Sequence, residues 1–336
     1  MSESSFDYSI VICAYNSDPR LLGRCLDAIY NINTVGLKVE TILVDNNSPV
    51  PLNTVPYIQD YLNKIDGMKI ILVKEQGHTF ARIGGVKEAQ GKHIVFFDDD
   101  NEPDVDYLIE LDKLCKKYSH VTAWGPGNIW VDFIDGIDPS LEAYGRSVFQ
   151  ERHEPYMAYS NIRTWQSCYP FGTGMAVQTS FLKAYVKLQE EGVFTLPGRR
   201  GNLLSCGEDV QIVLYCLREG GSAGVAPELK LKHIIPAKRA NVDYINRLLY
   251  GAYVCGSKSI LEVFPEHREV LERSFLKASK LERRAFKKYF KLFFKGDIYK
   301  TFDFVSYLGN HCGIYDALKR PVPKRINWLI KKLKLA

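Results

Sequence analysis

Apolar and polar positions alternate along the first hundred residues in a pattern that is typical of an α/β protein. Four short, nearly continuous apolar runs predict strands at residues 9–14, 39–44, 68–73 and 93–97. Stretches between them carry apolar residues at helical spacing and predict helices at 19–30 and 79–89. Because strands buried on both faces read as continuous apolar runs, this order predicts a mostly parallel central sheet with helices on both sides.

The pattern loosens after about residue 120. Gly, Pro and aromatic residues are frequent over 125–172, which predicts short strands joined by long loops. The spacing then predicts helices at 180–191, 208–219 and 242–255 and a strand at 223–233. Beyond residue 256 the chain is helical in pattern, basic and aromatic. We therefore predict two regions, an α/β domain over 1–255 and a helical C-terminal region over 256–336.

Composition narrows the class of protein. The chain has 336 residues, of which 46% are hydrophobic and 25% charged, and these fractions are ordinary for a globular protein. No apolar run approaches the roughly 18 residues that a membrane-spanning helix needs, and the polar N-terminal residues carry no export pattern. The eight cysteines include no C-x-x-C pair, so we expect reduced thiols and a cytoplasmic protein.

The net charge of +5 is unevenly distributed. Residues 267–336 hold 18 Lys and Arg against 6 Asp and Glu, whereas the rest of the chain holds 26 basic and 33 acidic residues. An acidic body with a basic C-terminal region predicts that this region prefers anionic surfaces.

Carboxylates gather where the predicted strands end, above all at Asp98, Asp99 and Asp100. Side chains two positions apart on a strand point the same way, so Asp98 and Asp100 can converge while Asp99 turns aside. Two convergent carboxylates at the open end of a sheet suit Mg²⁺ or Mn²⁺. The alternative is an Asp-rich cap of a helix that starts near Asp104. Because a cap needs one carboxylate and not three, we favour metal and phosphate.

A second acidic motif, Glu208-Asp209, opens the helix predicted at 208–219 and follows Gly207. One interpretation is an N-terminal helix cap, stabilised by the helix dipole at about 0.3–1 kcal/mol. The other is a carboxylate that the same dipole keeps ionised, available to remove a proton from a hydroxyl. The motif alone leaves both interpretations open.

Five motifs follow one another in a particular order. They are Ala14-Tyr15-Asn16 at the first strand end, Val-Asp-Asn-Asn-Ser at 44–48, Gly-x-x-x-Ala-Arg at 77–82, Asp-x-Asp at 98–100 and Gly-Glu-Asp at 207–209. This order resembles the family 2 glycosyltransferases over roughly residues 8–255. The resemblance implies the α/β GT-A fold, with a mostly parallel central sheet, and makes 1–255 the catalytic domain.

The resemblance also implies a nucleotide-sugar site. Its residues would be Ala14, Tyr15, Asn16, Asp45, Arg82, Asp98 and Asp99. Asp45 would accept a hydrogen bond from the base, with 14–16 beside it, and Arg82 would neighbour the diphosphate. Two positions depart from the family pattern: Ile83 follows Arg82 where an asparagine is common, and Asn46 follows Asp45 where a second aspartate is common.

Metal and catalytic roles follow from the same resemblance. The ligands of a Mn²⁺ or Mg²⁺ ion would be Asp98, Asp100 and His233, the last of which could instead be a solvent-side histidine on a basic strand. Asp209 would be the catalytic base, and we assign Glu208 to the catalytic pair beside it.

The implied reaction is an inverting transfer of a sugar from a nucleotide-diphosphate donor, with a UDP-sugar as the default. The acceptor would be a glycan or a lipid-linked saccharide of bacterial surface polysaccharide synthesis, and no nucleic acid is expected as a partner. Two alternatives stay open. A phosphohydrolase of the haloacid dehalogenase type also has Asp-x-Asp, but on the first strand of its domain, whereas Asp98 lies on the fourth run. A non-catalytic nucleotide-sugar-binding subunit is the other.

The C-terminal region contains two stretches that are predicted to form amphipathic helices. Their apolar positions are Leu281, Ala285, Phe286, Tyr289, Phe290 and Phe293, and Ile326, Trp328, Leu329, Ile330 and Leu333. Lysines and arginines occupy most of the positions between them. Such helices either lie in an anionic membrane interface or pack on the body or on a second subunit. The first alternative would place the protein on the cytoplasmic face of the inner membrane.

Overall fold

The computed structural model of the protein describes residues 5–196, 198–199, 204–205, 207–293 and 297–336. The strands are β1 (Phe6–Ala14), β2 (Val39–Asp45), β3 (Met68–Leu72), β4 (Gly91–Asp98), β5 (Asn101–Pro103), β6 (Val121–Phe133), β7 (Arg152–His153), β8 (Ala158–Ser160), β9 (Ala176–Gln178) and β10 (Ser222–Ile235).

Helices alternate with these strands and then form the C-terminal region. They are α1 (Pro19–Asn31), α2 (Pro56–Lys64), α3 (His78–Glu88), α4 (Tyr107–Lys117), α5 (Pro139–Val148), α6 (Thr179–Glu190), α7 (Glu208–Arg218), α8 (Val242–Val263), α9 (Arg268–Ser274), α10 (Ala278–Phe293), α11 (Ile298–Ala317) and α12 (Lys324–Lys332). Two short 3-10 helices cover Leu52–Thr54 and Pro265–His267.

The described strands form one sheet in the order β3-β2-β1-β4-β9-β6-β10-β5, with β7 beside β6 and β8 beside β10. Strands β1 to β4 are parallel to their neighbours in this group, and β6 is parallel to β10. The pairings made by β5, β7, β8 and β9 are antiparallel. The predicted α/β fold is confirmed, with its parallel character strongest in the first hundred residues.

Both faces of the sheet are covered. On β1, Ile10 and Ile12 belong to a core that includes Leu108 of α4, whereas Val11 belongs to a second core that includes Val86 of α3. Neighbouring residues of a strand point to opposite faces, so an apolar run fills both cores at once. This is why β1 reads as a continuous apolar stretch.

Residues 125–172 differ from the sequence expectation of short strands and long loops. Strand β6 is long and runs through Gly125, Pro126 and Gly127. Gly127 is required there because a Cβ atom would lie 2.6 Å from the carbonyl carbon of Ala226. The glycines and proline that suggested a loop allow β6 and β10 to approach closely where their register shifts.

The C-terminal helices pack on the body and form a third core. Helix α8, in which the predicted boundary at residue 255 falls, lies along α11. The two helices approach closely because Gly313 of α11 faces the backbone of Val254, where a Cβ atom would lie 2.5 Å from the carbonyl oxygen. This core also takes in Val131 of β6 and Ile235 of β10. The division into two domains stays a prediction.

Most of the apolar positions of the two amphipathic stretches are buried in this third core. They are Leu281, Ala285 and Tyr289 of α10 and Ile326, Leu329 and Ile330 of α12. Packing on the body, the second of the two alternatives, therefore accounts for these residues. Phe290 and Trp328 are different, with 57% and 50% of their surface exposed. The side chain of Phe293 lies outside the described part. In the part that the structure describes, no helix is both long and apolar enough to span a bilayer.

Candidate active site

The carboxyl ends of β1, β2 and β4 meet at one edge of the sheet. Ala14 pairs in register with Asp45, and Cys13 with Asp98. Parallel neighbours end at the same edge, so the motifs at these three strand ends lie side by side, as the sequence predicts.

The loops after β1 and β2 are tied together by hydrogen bonds. Asn46 N–H donates to the carbonyl of Ala14 (2.9 Å), and Asn16 N–H donates to Ser48 Oγ (3.1 Å). Asp45 is buried, and its two carboxylate oxygens accept from the backbone N–H groups of Ser48 and Leu52, each at 2.9 Å. The carboxylate shapes this loop, and its contact with a base stays a prediction.

Two neighbours of Asp45 differ sharply in exposure. The Tyr15 ring is about half exposed and stands at the rim of the edge. Asn46 is buried, donates to the carbonyls of Val73 (3.2 Å) and Glu75 (2.7 Å), and accepts from Gly77 N–H (2.7 Å). The residue that departs from the family pattern therefore fixes the loop that leads into α3. Its role was not foreseen, although the departure itself was visible.

Helix α3 brings an arginine and a histidine side chain to the edge. The Arg82 guanidinium is buried over the Phe96 ring, 5.0 Å from its centre, and lies 3.9 Å from Asp98 Oδ1. His78 Nε2 lies 3.5 Å from the same Asp98 oxygen, and His78 Nδ1 lies 3.6 Å from Glu208 Oε2. His78 is not among the residues predicted from the sequence. Its position four residues before Arg82, on the same helical face, was the available signal.

Glu208 and Asp209 take different environments at the start of α7. Glu208 is buried and accepts a hydrogen bond from Thr79 Oγ1 (3.0 Å). Burial opposes ionisation of Glu208, but His78 and Arg82 lower its pKa below the ordinary value. Asp209 is only partly buried. Of the two adjacent carboxylates, Asp209 is therefore the more accessible to solvent.

Gly172 allows Asp209 and Arg82 to lie close together. Its N–H donates to Asp209 Oδ2 (2.9 Å). A Cβ atom on Gly172 would lie 3.0 Å from Arg82 Nη2 and 3.1 Å from Asp209 Oδ2. The segment before β9 thus contributes a glycine to the site, which sequence reasoning did not find.

Of the three aspartates at the end of β4, only Asp98 belongs to the strand. The strand ends at Asp98, and a turn leads into β5. The buried Asn101 holds this turn, since its Oδ1 accepts from Asp98 N–H (3.0 Å) and its Nδ2 donates to Asp100 Oδ1 (2.8 Å). The alternation of strand side chains therefore stops at Asp98, and Asp98 and Asp100 have different partners. The helix-cap alternative is wrong, because β5 intervenes and α4 begins only at Tyr107.

Asp100 lies beside His233 because β5 pairs with β10, with Asn101 opposite His233. His233 Nε2 is 3.6 Å from Asp100 Oδ2, and His233 Nδ1–H donates to the carbonyl of Phe149 (2.8 Å). His233 is buried, which excludes the alternative of a solvent-side histidine. Arg239, in the loop after β10, forms an ion pair with Asp100 Oδ2.

The three aspartates differ in pKa because their charged neighbours differ. Burial raises the pKa of Asp99 to about 6, with the charge of Asp100 adding to the effect, although Ser17 Oγ donates a hydrogen bond to Asp99. Burial opposes ionisation of Asp100 as well, but Arg239 and His233 lower its pKa to about 2. Burial likewise opposes ionisation of Asp98, whereas His78 and Arg82 hold its pKa well below the ordinary value.

Two of the three predicted metal ligands face each other. Because the Phe149 carbonyl takes Nδ1–H of His233, the Nε2 atom is the one aimed at Asp100, and such a second partner is typical of metal-binding histidines. Asp100 and His233 therefore fit a divalent cation. Asp98 is held instead by His78 and Arg82. Within the described ranges, no three His, Cys, Asp or Glu side chains cluster closely enough to hold a metal ion.

The sheet is about half parallel, its carboxyl edge carries these charged side chains, and a helical C-terminal region follows. This is the architecture of a glycosyltransferase with the GT-A fold. Residues 9–183, more than half of the chain, match the model of glycosyl transferase family 2, and the chain belongs to this family. The resemblance that the motifs suggested is confirmed. The phosphohydrolase alternative is set aside.

Individual relatives are distant. The cholesterol galactosyltransferase of Borreliella burgdorferi is 30% identical over 96 residues, which are 29% of this chain and only a quarter (25%) of that protein. S. aureus TarS 1-349 in complex with UDP-GlcNAc is 13% identical, with 96% of this chain and 83% of that chain covered at a TM-score of 0.49. GalNAc-T7 with UDP, GalNAc and Mn²⁺ is 15% identical, with 75% and 51% covered at a TM-score of 0.47.

Proposed function

We propose that the protein transfers a sugar from a nucleotide-diphosphate donor to an acceptor hydroxyl, with Asp209 as the base. The observation that carries the proposal is the difference in burial between Glu208 and Asp209 at the start of α7. Glu208 is buried against His78 and Thr79, whereas Asp209 is partly exposed and lies beside Arg82 at Gly172. A reachable carboxylate next to a cationic pocket suits a reaction between a neutral hydroxyl and an anionic donor.

The proposed reaction needs a single base. The acceptor oxygen attacks the anomeric carbon while Asp209 takes its proton, and the bond from that carbon to the diphosphate oxygen breaks. The diphosphate leaves with the electron pair of that bond. Because the attack comes from the face opposite the leaving group, the configuration at the anomeric carbon inverts. We propose that the buried Arg82 guanidinium, which the neighbouring carboxylates keep charged, binds the diphosphate.

Asp100 and His233 are the residues that we propose to hold Mn²⁺ or Mg²⁺. When bound, such an ion neutralises charge that develops on the leaving diphosphate. The chain itself supplies the two ligands that face each other and the Phe149 carbonyl that orients His233. We propose Asp98 as a third ligand or a ribose contact, reached after it releases His78.

The donor that we propose first is a UDP-sugar, a UDP-hexose or UDP-N-acetylhexosamine, as the family resemblance implies. Asp45, the 14–16 segment and Asp99 would contribute to its site. The acceptor class that we propose is a saccharide, free or lipid-linked, in bacterial surface polysaccharide synthesis. Release of nucleoside diphosphate from a panel of nucleotide sugars, with acceptor saccharides present, tests the proposal. Binding of a nucleotide sugar without any turnover, as in a non-catalytic subunit, would contradict it.

For the C-terminal region we propose contact with an anionic membrane at the cytoplasmic face. Phe290 and Trp328 project from α10 and α12 next to exposed basic residues such as Arg283, Lys287 and Lys331. The Trp328 ring stacks on Phe286 at 6.0 Å, so the two helices present one surface. Aromatic side chains beside lysines and arginines are typical of helices that bind an anionic lipid interface.

Co-sedimentation of the full chain with anionic and neutral vesicles tests this contact. We expect binding to anionic vesicles that falls with salt, and weaker binding when Phe290 and Trp328 are both replaced by serine. Tyr30, another exposed aromatic, provides a control as Tyr30→Ser. Equal binding of the double variant and the control would contradict the proposal.

A further inference from the structure

One buried cation at the edge of the sheet has no part in the proposed reaction. Arg239 lies in the loop after β10, only a few residues beyond His233, and its guanidinium pairs with Asp100. The side chain is mostly buried, and an arginine side chain stays protonated in proteins. Arg239 is therefore a permanent positive charge at the position where a metal ion is proposed.

The two oxygens of Asp100 are used differently. Oδ1 accepts the hydrogen bond from Asn101 Nδ2 (2.8 Å), which shapes the turn. Oδ2 is the oxygen that faces His233 Nε2, at 3.6 Å. Arg239 Nη1 binds this same Oδ2 atom. The guanidinium and an ion shared by Asp100 and His233 therefore compete for one oxygen.

Electrostatics adds to this competition. Two cations in a buried site repel each other strongly because little water screens them. A carboxylate that is buried without a counter-ion is equally unfavourable. Without a metal ion, Arg239 therefore adds to His233 in balancing the charge of Asp100, whereas a bound divalent ion would make the Arg239 charge unnecessary.

We propose that Arg239 is a displaceable counter-ion, which neutralises Asp100 when no metal is bound and releases Oδ2 when a divalent cation binds. This inference rests on the proposed metal site. Its consequence is that the chain holds its metal more weakly than Asp100 and His233 alone would allow. Removal of the guanidinium should therefore tighten metal binding, which is the opposite of what loss of a ligand does.

Binding of Mn²⁺ alone to the full chain, followed by the electron paramagnetic resonance signal of the free ion, tests this without any turnover. We expect Arg239→Gln to lower the Kd for Mn²⁺ at least about tenfold, because the ion no longer displaces a buried ion pair. Arg239→Lys keeps the charge and should stay closer to the wild type. Lys238→Gln is the matched control, since it removes an exposed charge from the same loop. It should change the Kd less than about twofold.

The outcomes separate this inference from the metal site itself. Equal Kd values for Arg239→Gln and the wild type, or weaker binding by Arg239→Gln, overturn the inference. If the inference fails in this way but Asp100→Asn abolishes Mn²⁺ binding, the proposed metal site is still supported. If none of the variants nor the wild type binds Mn²⁺, both proposals fall. A larger rise in Tm on addition of Mn²⁺ for Arg239→Gln than for Lys238→Gln gives an independent supporting result.

Discussion

Replacement of Asp209 by asparagine tests the proposed base directly, because the structure allows the chemical effect to be separated from the structural one. Asp209 Oδ2 accepts from Gly172 N–H and Oδ1 from Val210 N–H, each at 2.9 Å. The asparagine oxygen can keep the bond from Gly172, and the variant then loses the bond from Val210. The loss of one partly exposed hydrogen bond costs about 1 kcal/mol.

The catalytic effect should be larger. Loss of a general base lowers kcat by about 10²-fold or more, which corresponds to at least about 2.7 kcal/mol of barrier. Donor affinity should stay within about twofold of the wild type, because Arg82, Asp98 and the 14–16 segment keep their positions. Nucleoside diphosphate release gives kcat, calorimetric titration gives the donor Kd, and urea unfolding gives the stability.

Glu208→Gln is the matched control on the neighbouring position. It removes a buried charge that His78 and Thr79 stabilise, so its main effect should be on stability, measured by urea unfolding. Asp209→Asn should instead be folded and slow. The assignment of the base is refuted if Asp209→Asn keeps its activity while a folded Glu208→Gln is inactive.

Three further predictions concern Gly172, the proposed metal site and the packing of α11 on α8. Gly172→Ala should lower kcat/KM by about tenfold, because its Cβ would press on Arg82 Nη2 and Asp209 Oδ2 at 3.0 and 3.1 Å. Gly23→Ala, which has open space, should leave kcat/KM unchanged, and equal values for the two variants would refute the contact. Asp100→Asn should lower activity at least about 100-fold and EDTA should abolish transfer by the wild type, so full activity in excess chelator would contradict the metal assignment. Gly313→Ala should lower the free energy of unfolding by about 1–3 kcal/mol because its Cβ meets the backbone of α8, and an unchanged urea midpoint would show that the helices do not pack this closely.

The parts of the fold that the sequence predicts are those set by local pattern. Strands β1 to β4 and helices α1 and α3 follow from apolar runs and helical spacing within short windows, and the Asp18 cap with Pro19 marks the start of α1. Strand β6 was missed because its glycines and proline, which serve a close approach to β10, look like loop residues. Tertiary contacts decide such positions, and they leave no local periodicity.

The same distinction applies to the site. The residues at the strand ends could be predicted, since parallel strands share a carboxyl edge. Their partners could not, because His78 with Glu208, Gly172 with Asp209, and Arg239 with Asp100 join segments that are far apart in the chain. Only the helical spacing of His78 and Arg82 pointed to a shared face. A three-residue strand such as β5 is too short to show its pairing with β10 in the sequence.

The aspartate triplet shows why the number of charges in a motif does not give its electrostatics. Three adjacent carboxylates would repel one another, yet the turn after β4 sends each to a different neighbour. Asp98 lies beside His78 and Arg82 of α3, Asp99 accepts a hydrogen bond from Ser17 Oγ, and Asp100 pairs with Arg239 and His233. The result is one carboxyl whose pKa rises to about 6 beside another whose pKa falls to about 2. A motif that reads as a simple acidic metal site is therefore a balanced arrangement of anions and cations, and we propose that a divalent ion replaces the Arg239 charge at Asp100.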